Sequence, residues 1–237
     1  MESTTIVVPG LTNREFLEQC ALAGRVGLCG GGTRVDLAIR RAQRHLDEAK
    51  RWSDWSHAFL FEGIRADGQH WIIESDLQFS RKNIQLGVQE NRAEKCCDEK
   101  MFPTLAILDF GLANGQLTAW LKAGLEMVAS RERYSLSELV GTLIALRRPE
   151  LRARENLLAR KRSVFCSALV QRLFHGADID LVPGVSGKNT TSEDLWRASV
   201  PHITYLLQRE ARPRLHTRLH RRMVSGIQKV KSHSHTT

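Results

Sequence analysis

Cys166 stands in the stretch RSVFCSALVQRLF, residues 162–174, where a basic segment gives way to an amphipathic helical pattern. Ser163 is placed to cap that helix. Backbone N–H groups at a helix start lack partners and carry partial positive charge, so a sulfur there is favoured as its thiolate. A thiolate becomes a catalytic nucleophile beside a base, and among nine histidines His57 has the best setting, at the start of the alternating run Ser56-His-Ala-Phe-Leu-Phe-Glu-Gly63. Glu74, in Gln69-His-Trp-Ile-Ile-Glu-Ser75, supplies a carboxylate to orient the imidazole. Together the three residue types suit acyl transfer through a thioester on Cys166.

Those residues need a hairpin. The two runs read as strands joined by a turn at Asp67-Gly68, and a two-residue turn pairs position 61 with 74 and 59 with 76. Glu74 and Asp76 then share the face of His57. The same register sets Glu74 four residues along from His57, about 13 Å on a flat sheet. Strong twist, a bulge or a longer loop has to close the gap, and Asp76 is the reserve partner. The N–H of Cys166 is the most accessible oxyanion donor. Each residue also has a plain reading: Cys166 as a small core residue, His57 as a satisfied structural group, Glu74 as a strand-end carboxylate.

Other elements follow from caps and periodicity. Thr12-Asn-Arg-Glu15 is a capping box before Phe16, Leu17 and Cys20, and Gly24 ends the run. Arg25 to Thr33 reads as a strand-to-helix turn; its three consecutive glycines lack the Lys-Ser/Thr ending of a phosphate loop. Helices are expected over 34–50, 116–130, 135–146 and 191–196, with strands at 84–88, 104–110 and 200–207. Residues 147–162 read as a charged connector. The polar segment 91–101 reads as a surface loop, since the vicinal pair Cys96-Cys97 has no further ligands at metal-binding spacing.

At 237 residues, with 42% hydrophobic and 26% charged content, the chain suits a soluble globular domain with appendages. Its net charge of +9 is concentrated: from Arg209 onward eight Lys or Arg face Glu210 alone, leaving about +2 on the body. The division expected is an N-terminal helical extension at 1–24, a catalytic domain at 25–208 and a basic tail at 209–237. The tail suits contact with an anionic membrane surface or nucleic acid. Five cysteines at irregular spacing, with no run long enough to span a membrane, point to a cytoplasmic, reducing setting.

The blocks Ser56-His57-Ala-Phe-Leu-Phe, Trp71-Ile-Ile-Glu74-Ser and Val164-Phe-Cys166-Ser-Ala-Leu-Val170 resemble the signatures of the circularly permuted papain-like amidases. These belong to the NlpC superfamily, which also holds the lecithin-retinol acyltransferase branch. Tyr134 to Leu139, Ile179 to Pro183 and Thr191 to Leu195 add to the resemblance, which runs from about Gly27 to Ser199. It implies an α+β, papain-like fold: a small antiparallel sheet packed on the cysteine helix, with additional helices. It implies a thiol hydrolase or acyltransferase with Cys166 as nucleophile, His57 as base and Glu74 as orienting group, and no metal or organic cofactor. A peptide amide is the first substrate expected and a lipid acyl group the second. A non-catalytic binding protein that uses its basic tail is the alternative. Two departures stand out: Cys-Ser-Ala-Leu replaces the commoner Cys-Ser-Glu-Leu, and Cys29 with the glycine run replaces the usual small or acidic residues.

Overall fold

The computed structural model describes residues 2–79, 84–132, 136–154, 158 and 164–209. Strands β1 (Thr4–Pro9), β2 (Val26–Gly30), β3 (His57–Ile64), β4 (His70–Phe79), β5 (Ile84–Arg92), β6 (Thr104–Asp109) and β7 (Ile203–Gln208) form one sheet in the order β1-β7-β6-β2-β3-β4-β5. β1 and β7 are parallel and the other neighbours antiparallel. The helices are α1 (Asn13–Cys20), α2 (Arg34–Ala42), α3 (Asn114–Ala129), α4 (Leu136–Ala145), α5 (Cys166–His175) and α6 (Ser192–Trp196). The chain is therefore α+β, but the small antiparallel sheet expected from sequence is a seven-stranded mixed one.

Both faces of the central strands are apolar, as period-2 side-chain alternation requires when helices cover both sides. Val26, Leu28, Ala58, Leu60, Ala106 and Leu108 point into one core, shared with α3 and α5. Cys29, Phe59, Phe61, Leu105 and Ile107 point into a second, under α1. Gly27 lies between: it pairs with Phe59, and a Cβ at residue 27 would come within 2.2 Å of that ring. Burying the three phenyl rings of Phe16, Phe59 and Phe61, each worth about 1.5–3 kcal/mol, fastens α1 to the sheet.

Local caps place the helix starts. Thr12 and Thr191 accept from the N–H groups of Glu15 and Asp194, and these carboxylates reach back to the cap residues. The expected 34–50 helix is shorter. α2 ends at Ala42 and a 3-10 turn covers Gln43–Leu46. The Gln43 side chain is buried there, donating to the Trp55 carbonyl and accepting from the Glu193 N–H, which ties the chain to α6.

The first 24 residues carry a strand besides the helix: Thr4–Pro9 adds to the sheet edge beside β7. Its side chains are almost all exposed, so it lacks the alternating pattern that marks a half-buried strand. At the other end, Arg209 is docked on the body, donating to the Pro103 carbonyl at 2.7 Å and pairing with Glu99 at 2.8 Å. The basic tail from residue 210 lies outside the described residues. No helix among the described residues is long and apolar enough to cross a membrane.

Candidate functional site

The hairpin closes the distance that the two-residue turn left open. β3 and β4 are joined through residues 65–69, where the Gly68 N–H donates to the Arg65 carbonyl and the Arg65 N–H to that of Gln69. A bulge then shifts the register between Phe61 and Gly63, with Gly63 at φ +112°, a conformation that other residues rarely adopt. Phe61 consequently faces Ile72, and Leu60 faces Ile73. Continued by one residue, this register sets Glu74 opposite Phe59, two residues from His57 instead of four. A shift of two preserves face parity, so Glu74 stays on the His57 side and becomes a diagonal neighbour within reach of its ring.

His57 Nε2 lies 2.7 Å from Glu74 Oε2. That leaves Nδ1 as the ring nitrogen for Cys166, whose thiol is hydrogen-bonded to His57. Cys166 opens α5, which packs against β3 and β4. Phe165 is the N-cap and offers no side-chain hydrogen bond; Ser163, the cap expected from sequence, lies outside the described residues. With no cap side chain competing, the thiolate collects backbone N–H groups of Ser167 and of Ala58 on β3.

Burial by itself disfavours charge at both members of the pair, and their mutual interaction reverses the outcome. At Cys166 burial raises the pKa, but the His57 charge, its hydrogen bond and the Ala58 and Ser167 N–H groups bring it below the ordinary thiol value. At His57 burial lowers the pKa, but Cys166, Glu74 and Asp76 hold it well above the usual imidazole value. A thiolate-imidazolium pair is the state these interactions favour.

Glu74 is fully buried. Its Oε2 accepts from His57, while Oε1 accepts from Asn91 Nδ2 at 2.6 Å and Lys95 Nζ at 2.5 Å. Burial pushes its pKa up, and His57 and Lys95 more than offset that, holding it below the usual carboxylate range. Lys95 Nζ also donates to Asp76 Oδ2 at 2.8 Å. Asp76, the reserve partner, thus serves the lysine, and Glu74 takes the imidazole.

Asn91 and Lys95 fall in the segment read from sequence as a surface loop. Asn91 ends up in β5, facing Ile72 and so diagonal to Glu74, and residues 93–97 form a 3-10 turn beside the hairpin. Cys96 is buried and hydrogen-bonded to Cys29; only Cys97 reaches partial exposure. Nothing in the sequence distinguishes Lys95 from Arg92 and Lys100 in the same segment.

The hollow at the thiol is small. It is bounded by Ile39, Ser56, Leu143, Phe165 and Thr191 and has a volume of about 20 Å³, the room of about one water. Gln43 also lines it; its Oε1 accepts from the Glu193 N–H and one of its two Nε2 hydrogens goes to the Trp55 carbonyl.

His57, Glu74 and Asp76 also place three donor atoms within 4.8 Å of one another, a spacing a metal ion could bridge. The ammonium of Lys95 already lies against both carboxylates and supplies the positive charge a cation would bring.

No family model matches the chain, and no curated protein matches it. Among solved structures it is similar to YiiX of Escherichia coli O157:H7, described as a metalloprotein of DUF1105, with a TM-score of 0.52 and 13% identity over 80% of this chain and 98% of that one. This is a likeness of fold. It overturns the assignment to the permuted NlpC-type amidases drawn from sequence: the match found is to a different family name, and no family model supports the three blocks. Their letters are those that any buried hairpin and apolar helix favour, β-branched and aromatic in the strands and Ala, Leu and Val on the helix, so they carry little family information.

Proposed function

We propose that the chain is a cysteine-dependent acyl hydrolase or acyltransferase. The observation that carries this reading is the Glu74–His57 contact at 2.7 Å behind a helix-start cysteine whose pKa is lowered by the same histidine. The layout, a cysteine helix laid on a sheet strand that bears the histidine, supports a papain-like arrangement. The Cys166 thiolate attacks an acyl carbonyl, forming the S–C bond and an oxyanion beside the start of α5. Collapse expels the amine or alcohol, which takes its proton from the His57 imidazolium. Neutral His57 then removes a proton from water, or from an acceptor alcohol or amine, as that oxygen or nitrogen attacks the thioester. The thiolate and imidazolium are thereby restored. Glu74 keeps the ring oriented and favours its charged form; it takes no proton.

A metal reading has one observation in its favour, the three donors around His57, together with the description of YiiX as a metalloprotein. Lys95 weighs against it here, because an ammonium and a divalent cation compete for the same carboxylate oxygens.

The test is the pH dependence of iodoacetamide alkylation at Cys166, read by peptide mass spectrometry, in the native chain and in His57→Ala. A lowered thiol pKa keeps the reactive thiolate populated well below pH 8.5, and reactivity falls only as pH drops through that lowered value. In His57→Ala the largest lowering influence is gone while burial remains, and the reactive limb moves up in pH. A Cys166 that is inert in both proteins while Cys97 labels would end the enzyme reading in favour of a binding role.

A further inference from the structure

Beside the small hollow at the thiol lies a larger open groove between α2 and α4, with a volume of about 670 Å³, in the range of small-molecule sites. Its floor is apolar: Leu37, Trp52, Val140, Leu143 and Ile144. Each of these except Leu143 is at least 39% exposed, an unusual cluster of large apolar side chains in contact with water. Its rim is basic. Arg34, Arg41, Arg44 and Arg147 surround that floor, and among the described residues none of these guanidinium groups has a carboxylate partner. Burial and the charges of Arg44, Lys50 and Arg147 hold the His45 imidazole at the same rim below its usual value, as a locally positive field does.

Two features narrow the occupant. Among the described lining residues His45 alone has a side-chain acceptor, and no carboxylate, amide or hydroxyl side chain is present, so the groove offers little to the N–H groups of a peptide backbone. The chain's own tail, with seven Lys or Arg beyond residue 209, is repelled by a basic rim. Guanidinium groups without carboxylate partners around an apolar floor, one of them, Arg41, over the Trp52 ring at 5.9 Å, match a ligand with an anionic head and an apolar chain. The groove also adjoins the thiol: Leu143 lines both spaces, and Ile39 and Gln43 of the thiol hollow directly follow Ala38 and Ala42 of the groove.

We infer that the groove binds a single-chain anionic amphiphile, its phosphate-type head held by the arginine rim and its chain on the apolar floor, and that the substrate of Cys166 belongs to this class. The role assigned to Cys166 rests on the acyl-transfer reading; binding in the groove does not.

The experiment is calorimetric titration of dodecyl phosphate, below its micelle concentration, into full-length Cys166→Ser. Saturable 1:1 binding is expected, with dodecyl maltoside and dodecyltrimethylammonium each weaker by about tenfold or more. Arg41→Glu combined with Arg147→Glu is expected to cost about tenfold in affinity, and the milder Arg41→Gln with Arg147→Gln about threefold, with circular dichroism confirming that both fold. In the native chain, dodecyl phosphate should slow alkylation of Cys166. Equal binding of the neutral or cationic amphiphile overturns the proposal. So does inorganic phosphate binding as tightly as dodecyl phosphate, or binding confined to phosphatidylglycerol vesicles, which would make this a bilayer-contact surface. The two readings fail separately: a reactive Cys166 with no amphiphile binding removes only the groove, and amphiphile binding with an inert Cys166 removes only the chemistry.

Discussion

The carboxylate side of His57 and the groove between α2 and α4 handle charge in opposite ways. Behind His57 every charge has partners: Glu74 has His57, Asn91 and Lys95, and Lys95 has both Glu74 and Asp76. At the groove four guanidinium groups crowd an apolar floor with no described carboxylate among them. Burial explains the contrast. A charge removed from water costs several kcal/mol unless it is paired, whereas an exposed arginine is solvated and tolerates isolation. The paired network is therefore a device for holding one imidazole in place, and the unpaired rim is a surface left for something else to neutralise.

Glu74 is where breaking the network costs most. On the acyl-transfer reading Glu74→Ala should reduce turnover by about 10⁴-fold, as loss of an orienting carboxylate does, and destabilise the fold by about 3 kcal/mol by leaving a lysine short of its buried partner. Turnover and urea unfolding of the same samples measure both. Glu74→Gln keeps the shape and isolates the charge. The folded-state pKa of Glu74 lies below the ordinary value of about 4.3, so its stabilisation is fully present above that pH and lost as pH falls through the folded value. The stability gap between native and Glu74→Gln should thus close on acidification below about pH 4. A gap that persists at pH 2 would mean that packing, not ionisation, holds Glu74.

Lys95 sharpens the contrast by converting a paired region into an unpaired one. In Lys95→Met two carboxylates face His57 without their cation, so the imidazolium is further favoured and the ring titration seen by ¹⁵N NMR should move up. The same change vacates the oxygens that a metal would use. Zn²⁺ should bind Lys95→Met through His57, Glu74 and Asp76 and leave this trio empty in the native chain. Zn²⁺ bound by the native chain and lost in Glu74→Gln would replace the ion-pair account with a metal centre.

How much of this was legible depends on how local each signal is. The boxes at Thr12 and Thr191 are contained in four residues, and the α1 and α6 starts follow from them directly. Alternation in β3 fixed which residues share a face, and parity survived because the hairpin departed from its expected register by two, an even number. The distance did not survive. It depends on loop length and on a bulge at Gly63, neither of which changes the hydrophobic pattern. Lys95 and Asn91 were unreadable for a related reason: their roles exist only once β5 is laid beside β4, and a polar segment looks the same whether its charges face water or a buried carboxylate. Thr4–Pro9 escaped notice because an exposed edge strand has no buried face to impose a period.

Leu143 joins the two regions and should give the smallest effect. It is only partly buried and forms the shared wall of the thiol hollow and the groove, so Leu143→Ala should cost about 1 kcal/mol of stability. Its kinetic consequence is more specific. Cys166 is 7% exposed beside a hollow with room for about one water, so an electrophile entering from this side has to displace the wall. Trimming that wall should speed iodoacetamide alkylation of Cys166 by about three- to tenfold while leaving its pH midpoint unchanged, because the His57, Ala58 and Ser167 interactions with the sulfur are untouched. An unchanged rate would mean that the thiol is approached from another side and that the groove is not its antechamber. A shifted midpoint would mean that Leu143 supports the thiolate pair itself, making the wall part of the paired region.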